Sequence, residues 1–242
     1  ISFHALPTDF TIESIFSSLG DNVSIIFTEG SGSIHLGSNW YGSLYEITPD
    51  NGYWVIMNTD ATLTIPEAVP TSFVGYDLQY QLHAGNNLIS YPFAVDQALE
   101  DAISSEYDNS IWAITGSGVA ARKINGNWYG SLDYLSPSSG YWIVSYGDTQ
   151  FQFNQPDYDA PPRNDTNDRS DAPDLFTFNQ SPYQAFYWVA DAYIDGIPMV
   201  VGEDWIGAFY GDECIGAREW SGMSTYGVPT DIPVMGYDDD ID

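Results

Sequence analysis

Asn39-Trp40-Tyr41-Gly42-Ser43-Leu44, then Pro49, then Gly52-Tyr53-Trp54, is a string that the chain writes twice. Asn127-Trp128-Tyr129-Gly130-Ser131-Leu132, Pro137 and Gly140-Tyr141-Trp142 repeat it. Trp40 and Trp128 lie 88 residues apart, as do Trp54 and Trp142. The same offset carries Ile1-Ser2-Phe3 onto Ile89-Ser90-Tyr91 and Gly30 onto Gly118. A period of this size signals a duplicated structural unit, to be recognised before any single motif is read.

Working outward, each copy predicts the same order of elements. In the first, Ile12, Ile15, Phe16 and Leu19 fall at i, i+3, i+4 and i+7, a short amphipathic helix behind Pro7-Thr8-Asp9 and stopped by Gly20. Val23–Phe27 and Ile34–Leu36 read as strands around Gly30-Ser31-Gly32-Ser33. Pro49-Asp50-Asn51-Gly52 is turn chemistry, and Tyr53–Met57 and Ala61–Ile65 read as further strands. In the second copy Leu78–Leu82 and Leu88–Tyr91 precede a helical stripe of Val95, Ala98, Leu99, Ala102 and Ile103; Ile111–Thr115 and Tyr141–Tyr146 follow as strands. Residue 1 aligns with Ile89, inside a predicted strand. The first module is therefore expected to lack its opening residues, and the chain to belong to a longer polypeptide.

Residues 156–174 change character. They are rich in Pro, Asp and Asn and poor in aliphatics, as expected of an acidic linker. Beyond it, Phe176-Thr177-Phe178 and the aromatic run from Tyr183 to Ile194 read as strands. Trp205–Phe209 and Cys214–Ala217 flank a Gly-Asp turn as a hairpin. The expected fold is mainly β with short helices: two tandem α+β repeat modules (1–70 and 71–155), the linker (156–174), and a β-sandwich-like module cut short at its end (175–242).

Gly85-Asn86-Asn87-Leu88-Ile89-Ser90-Tyr91-Pro92, a short helix, and Gly140-Tyr141-Trp142-Ile143-Val144 resemble a module repeated in large secreted or surface-anchored bacterial proteins. That family opens on "G-W-N-L-I-S-x-P" and closes on "P-G-x-G-Y-W-V". Asn86 stands here where the pattern has Trp, and Ser138 where it often has Gly. Gly202–Phe209 and Gly211–Ala217 look like a β-sandwich module of similar extracellular proteins. The resemblance implies an extracellular or cell-surface location and carries no catalytic residues.

Charge narrows the partners. Asp and Glu number 34 against 5 Lys and Arg, a formal net charge of −29. Nucleic-acid affinity comes mainly from cations neutralising phosphates, so nucleic acid is excluded, and an anionic membrane surface with it. No apolar run reaches the roughly 20 residues of a membrane span, so no membrane insertion is expected. Three readings of the acidity stay open: solubility in a saline medium, Ca²⁺ loading through oxygen ligands, and steering of a cationic partner. Cys214 is the only cysteine, so no internal disulfide forms.

Catalytic signatures are not what the chain displays. His4, His35 and His83 stand apart, and no HExxH, GxSxG or CxxC occurs. A carboxylate pair of the glycosidase kind is the enzymatic reading weighed against a non-enzymatic one. Trp40, Tyr41, Trp54, Trp128, Tyr129 and Trp142 are the candidate ligand-binding residues: their faces suit the apolar faces of sugars, and they equally suit a core of large buried rings. Strand alternation puts Trp40 and Tyr41 on opposite faces, one inward and one outward, without saying which. Asp238, Asp240 and Asp242 alternate as in the first half of a Ca²⁺ loop and are the candidate metal ligands, with Ca²⁺ the one cofactor considered. The expected function is non-catalytic: a structural or adhesive array whose partners are other chains or copies of itself. Carbohydrate-binding modules of a secreted hydrolase, with an extracellular polysaccharide as partner, are the alternative.

Overall fold

The computed structural model describes residues 1–72, 77–159, 172–222 and 229–237. It is mainly β, with two short α-helices among several small sheets. In chain order the first copy holds β1 (Ala5–Leu6), α1 (Ile12–Ile15), β2 (Val23–Thr28), β3 (Ser31–Leu36), β4 (Asn39–Gly42), β5 (Trp54–Met57) and β6 (Val69–Pro70). The second holds β7 (Tyr80–Leu82), β8 (Gly85–Ser90), β9 (Gln97–Ala98), α2 (Leu99–Ala102), β10 (Ile111–Gly116), β11 (Val119–Ile124), β12 (Asn127–Gly130), β13 (Tyr134–Leu135), β14 (Gly140–Ser145) and β15 (Thr149–Phe151). Then come β16 (Gln184–Val189), β17 (Tyr193–Ile194), β18 (Ile197–Pro198), β19 (Trp205–Tyr210), β20 (Glu213–Glu219) and β21 (Thr230–Met235).

The offset of the sequence repeat is also the offset of the strands. Shifting β2, β3 and β4 by 88 residues reproduces the bounds of β10, β11 and β12, and shifting β5 lands it inside β14. Register is kept too: Ser33↔Gly42, Ile34↔Tyr41 and His35↔Trp40 correspond to Ala121↔Gly130, Arg122↔Tyr129 and Lys123↔Trp128. The glycine of Trp-Tyr-Gly-Ser has a reason. Gly42 and Gly130 sit at φ +154° and +141°, and a Cβ there would collide with the carbonyl of Gly32 or Ala120. Those carbonyls face inward to accept from Leu44 and Leu132 N–H, at 3.3 and 3.0 Å.

The first copy's sheet has the order β4-β3-β2-β5. Its inner face and α1 enclose Phe3, Leu6, Ile12, Ile15, Phe16, Leu19, Val23, Ile26, Leu44, Ile47 and Tyr53. Helix α1 is shorter than its periodicity predicts. Thr11 caps it, its Oγ1 accepting from Ser14 N at 3.4 Å, and Asp9 in turn accepts from Thr11. The chain leaves the helix at Phe16, and Phe16 and Leu19 are buried from a turn instead. The predicted helical stripe of the second copy shrinks likewise: only Leu99–Ala102 is helical, and Gln97–Ala98 pairs with Tyr134–Leu135.

By compactness the chain forms two units, which cut across the repeat: 1–114 with 134–162, and 115–133 with 163–242. The first unit contains the join between the two copies. Ser2 N donates to Ser138 O at 2.8 Å and Ser90 N to Asp50 O at 3.0 Å, a reciprocal exchange between equivalent positions. At its centre a Cβ on Gly140 would lie 3.0 Å from Gly52 Cα, and one on Gly52 would lie 2.8 Å from Ile89 O. The glycines of Gly-Tyr-Trp are there so that two backbones can meet.

The second unit is built from the ladders β11–β12, β16–β21 and β19–β20, with β21 against β20. The Pro233 carbonyl lies where a Cβ of Gly216 would be. Phe176-Thr177-Phe178 is not the predicted strand. Behind Pro173, residues Asp174–Phe176 make a 3₁₀ turn that lays the Phe176 ring over Gly207 and stacks it on Trp205 at an interplanar angle of 30°, with centroids 5.9 Å apart. The linker expected at 156–174 lies largely outside the described residues, as do Asp238, Asp240 and Asp242.

Candidate functional site

Six aromatic side chains were singled out by the repeat, and the structure separates them. Trp40 points inward. It packs on the core cluster, meets Phe16 at 5.9 Å and stacks on His35 at 4.7 Å. Its counterpart Trp128 is half-buried, with the Lys123 ammonium 4.9 Å from its ring centroid. A cation or imidazole thus covers the indole in each copy, from the directly opposite position of the neighbouring strand. Neither indole is a free platform for a sugar. Tyr41 points outward and is 55% exposed; Tyr129 is half-buried. Trp54 and Trp142 are half-buried on their strands.

The middle residue of Gly-Tyr-Trp, which the sequence reading passed over, has the clearest task. Tyr53 is buried, and its hydroxyl accepts from Thr48 N at 2.8 Å. Tyr141 does the same to Ser136 N at 2.8 Å. Burial pushes both phenols above their ordinary pKa, so both remain neutral. Each ring is a pin closing the turn that begins at Pro49 or Pro137.

Trp54 and Tyr41 belong to a larger surface. Register across the first sheet aligns Ile56, Ile25, Ile34 and Tyr41 in one row, with Trp54 and Phe27 in the next. Strand alternation puts these residues on the face opposite Ile26 and Tyr53. Ile34 is 39% exposed and Leu36 56%, beside Tyr41. The residues at the same offset in the second copy are Val144, Ala113, Arg122 and Tyr129, which carry less apolar bulk and include a charge.

Two polar clusters occur. In the second unit Arg218 Nη2 donates to Gly118 O at 2.7 Å and to Asp231 Oδ2 at 3.2 Å, and Ser131 Oγ donates to the same carboxylate oxygen at 2.7 Å. Gln184 brackets the same turn, donating to Gly116 O and accepting from Gly118 N. The Gly116-Ser117-Gly118 turn is a seat for Gln184 and Arg218. In the first unit His83 Nε2 meets Glu29 Oε1 at 2.8 Å, while Glu29 Oε2 accepts from Leu88 N at 3.2 Å. The Ala84 carbonyl, then Glu29, raise the His83 pKa. Cys214 is half-buried and its thiol donates to Gly216 O at 3.5 Å. Among the described residues no group of three or more His, Cys, Asp or Glu could hold a metal ion, and no helix is long and apolar enough to cross a membrane.

A mainly β protein with a duplicated unit is the class these elements define. The chain matches no protein-family model, no curated protein and no solved structure.

Proposed function

We propose that this chain is a non-catalytic structural or adhesive module array of an extracellular surface protein or fibre, acting through the outer face of the first copy's sheet. The observation that carries the reading is the aligned row Ile56, Ile25, Ile34 and Tyr41 with Leu36 beside it. In a chain with 34 Asp and Glu against 5 Lys and Arg, a contiguous apolar face marks a contact site. The partner committed to here is another copy of the chain. Paired apolar faces bring sheets together at about 10 Å without requiring charge complementarity, which a chain of net charge −29 could not offer itself. Sedimentation velocity over a concentration series at moderate salt tests it. Self-association is expected for the wild type and its loss for the Tyr41→Ser, Leu36→Ser double variant. A wild type that stays monomeric throughout would end the proposal.

One observation favours the second reading, carbohydrate binding. Tyr41 is exposed and shares its face with the exposed Asn39, an aromatic ring beside a hydroxyl-binding amide. Affinity electrophoresis against soluble polysaccharides separates the two readings: retardation abolished by Tyr41→Ala, in a protein that does not self-associate, would favour sugar. Trp40→Ala would not be a clean probe, since that ring is part of the core.

A further inference from the structure

At two positions the copies differ in a way the sheet does not require. Ser24 and Asn58 of the first copy become Trp112 and Tyr146 at the 88-residue offset. The Ser24 hydroxyl donates to Ile56 O at 3.0 Å, and the Asn58 amide to Asp21 O at 2.8 Å. Trp112 and Tyr146 instead stack on each other, with centroids 6.2 Å apart and planes at 29°. The first copy builds the same strands with neither ring, so holding the core does not explain the pair.

The pair is open to solvent and firmly set. Tyr146 is 67% exposed and Trp112 half-buried. His35 on Trp40 and Phe176 on Trp205 are stacked too, but there both rings are half-buried. Along β14, Tyr141, Ile143 and Ser145 turn inward, and Trp142 and Val144 alternate with them. Tyr146 continues this second, outward set. Its N–H donates to Ser110 O at 2.8 Å, and the buried Ser145 hydroxyl lies 3.1 Å from the same carbonyl. Two exposed amides stand close by in the fold: Asn86, directly opposite Val144 on β8 and so on its face, and Asn109, next to Ser110. All of these residues belong to the first compact unit.

We propose that the Trp112–Tyr146 pair is a binding site for a neutral polysaccharide. The C–H face of a pyranose ring lies on the aromatic shelf, and the Asn86 and Asn109 amides take its hydroxyls. A rigid aromatic surface beside amides fits a ligand that has an apolar face and a rim of hydroxyls. The chain's charge selects within that class: at −29 it repels uronate-bearing and sulfated polysaccharides and leaves neutral ones unaffected. The shelf is already fixed by the Ser110 carbonyl, so little ordering is lost on binding. This site is separate from Tyr41, and it stands or falls independently of self-association through the first copy's apolar face.

Affinity electrophoresis of the intact 242-residue chain tests it, in gels containing galactomannan, xyloglucan, dextran or laminarin, with alginate as the anionic control and chitosan as the cationic one. Retardation by a neutral polysaccharide is expected for the wild type and for Tyr41→Ala. Tyr146→Ala should weaken the binding about tenfold with the melting temperature unchanged, since the ring it removes is exposed. Asn86→Ala, which leaves both rings in place, should weaken it as well. No retardation by any of the four neutral polysaccharides would overturn the proposal, and so would retardation that Tyr146→Ala leaves unchanged. Loss on Tyr41→Ala alone would overturn it in favour of the first copy. Retardation confined to chitosan would overturn it in favour of plain charge attraction.

Discussion

Tyr53 and Tyr141 show how a repeated motif divides its labour residue by residue. In Gly-Tyr-Trp the glycine admits a neighbouring backbone, the tyrosine pins a turn, and the tryptophan lies half-buried on the strand. Removing one phenolic oxygen leaves the Thr48 or Ser136 N–H without its partner in a partly buried place. Tyr53→Phe and Tyr141→Phe should therefore each destabilise by about 1–2 kcal/mol. Gly52→Ala faces a steric conflict with Ile89 O and Leu88, so a loss of about 1–3 kcal/mol is expected. Urea unfolding of the three variants checks both figures. Losses under 0.5 kcal/mol for the tyrosines would mean that water replaces the hydroxyl and the pin is idle. His83 adds a titratable residue to the same join. Its pKa is raised in the folded state, so its stabilising contribution is complete below the ordinary value near 6.5 and is lost as pH rises through the raised value. An NMR titration should place His83 above the unfolded histidine, and Glu29→Gln should bring it down. A midpoint that the substitution leaves unmoved would remove Glu29 from the account.

At the scale of elements, the sequence was most informative where a pattern occurs twice. The 88-residue offset carried β2, β3, β4 and their register onto β10, β11 and β12, because hairpin register follows from turn length and the alternation of faces. It failed where a local pattern needed a distant partner or met a local constraint. Ala61–Ile65 alternates like a strand and forms no ladder with another of the described strands. Phe176-Thr177-Phe178 alternates too, but Pro173 starts a 3₁₀ turn and stacking on Trp205 decides where Phe176 lies. Both helices are one turn long, since tertiary burial of Ile12 and Ile15, or Leu99 and Ala102, holds them with little help from propensity. Of the site, the aromatic signature was legible and its orientation was not. Trp40 points inward and Tyr41 outward through packing with Phe16 and His35, which no spacing rule encodes. A prediction at this scale concerns the hairpin Trp205–Glu219. Gly207→Val would drive a side chain into the Phe176 and Phe209 rings and undo the stacking of Phe176 on Trp205. The loss should be about 1–3 kcal/mol, with the near-ultraviolet signal of Trp205 altered. An unchanged spectrum would show that Phe176 is not held there.

For the whole molecule, the issue is how so acidic a chain holds together and what its few cations do. Arg218 is one of five Lys and Arg residues, and it sits against Asp231, whose side chain is almost fully buried, where Ser131 and the Gly118 carbonyl complete the cluster. Asp231→Ala would leave the guanidinium without its counter-charge in a largely enclosed place, a loss of about 3 kcal/mol. Asp231→Asn, which keeps the shape and an acceptor, should recover part of it. The remaining carboxylates repel one another, and screening shortens the reach of that repulsion from about 30 Å at 0.01 M salt to about 3 Å at 1 M. Melting temperature should therefore climb steadily with NaCl across that range. CaCl₂ at matched ionic strength separates the open readings of the acidity. If the charge is there for a saline medium, Ca²⁺ follows the NaCl curve. If it is there for Ca²⁺, melting temperature jumps at low millimolar Ca²⁺ and saturates, and Asp238→Asn with Asp240→Asn abolishes the jump. Screening alone is the outcome expected here. The described residues offer no group of three His, Cys, Asp or Glu that could hold an ion.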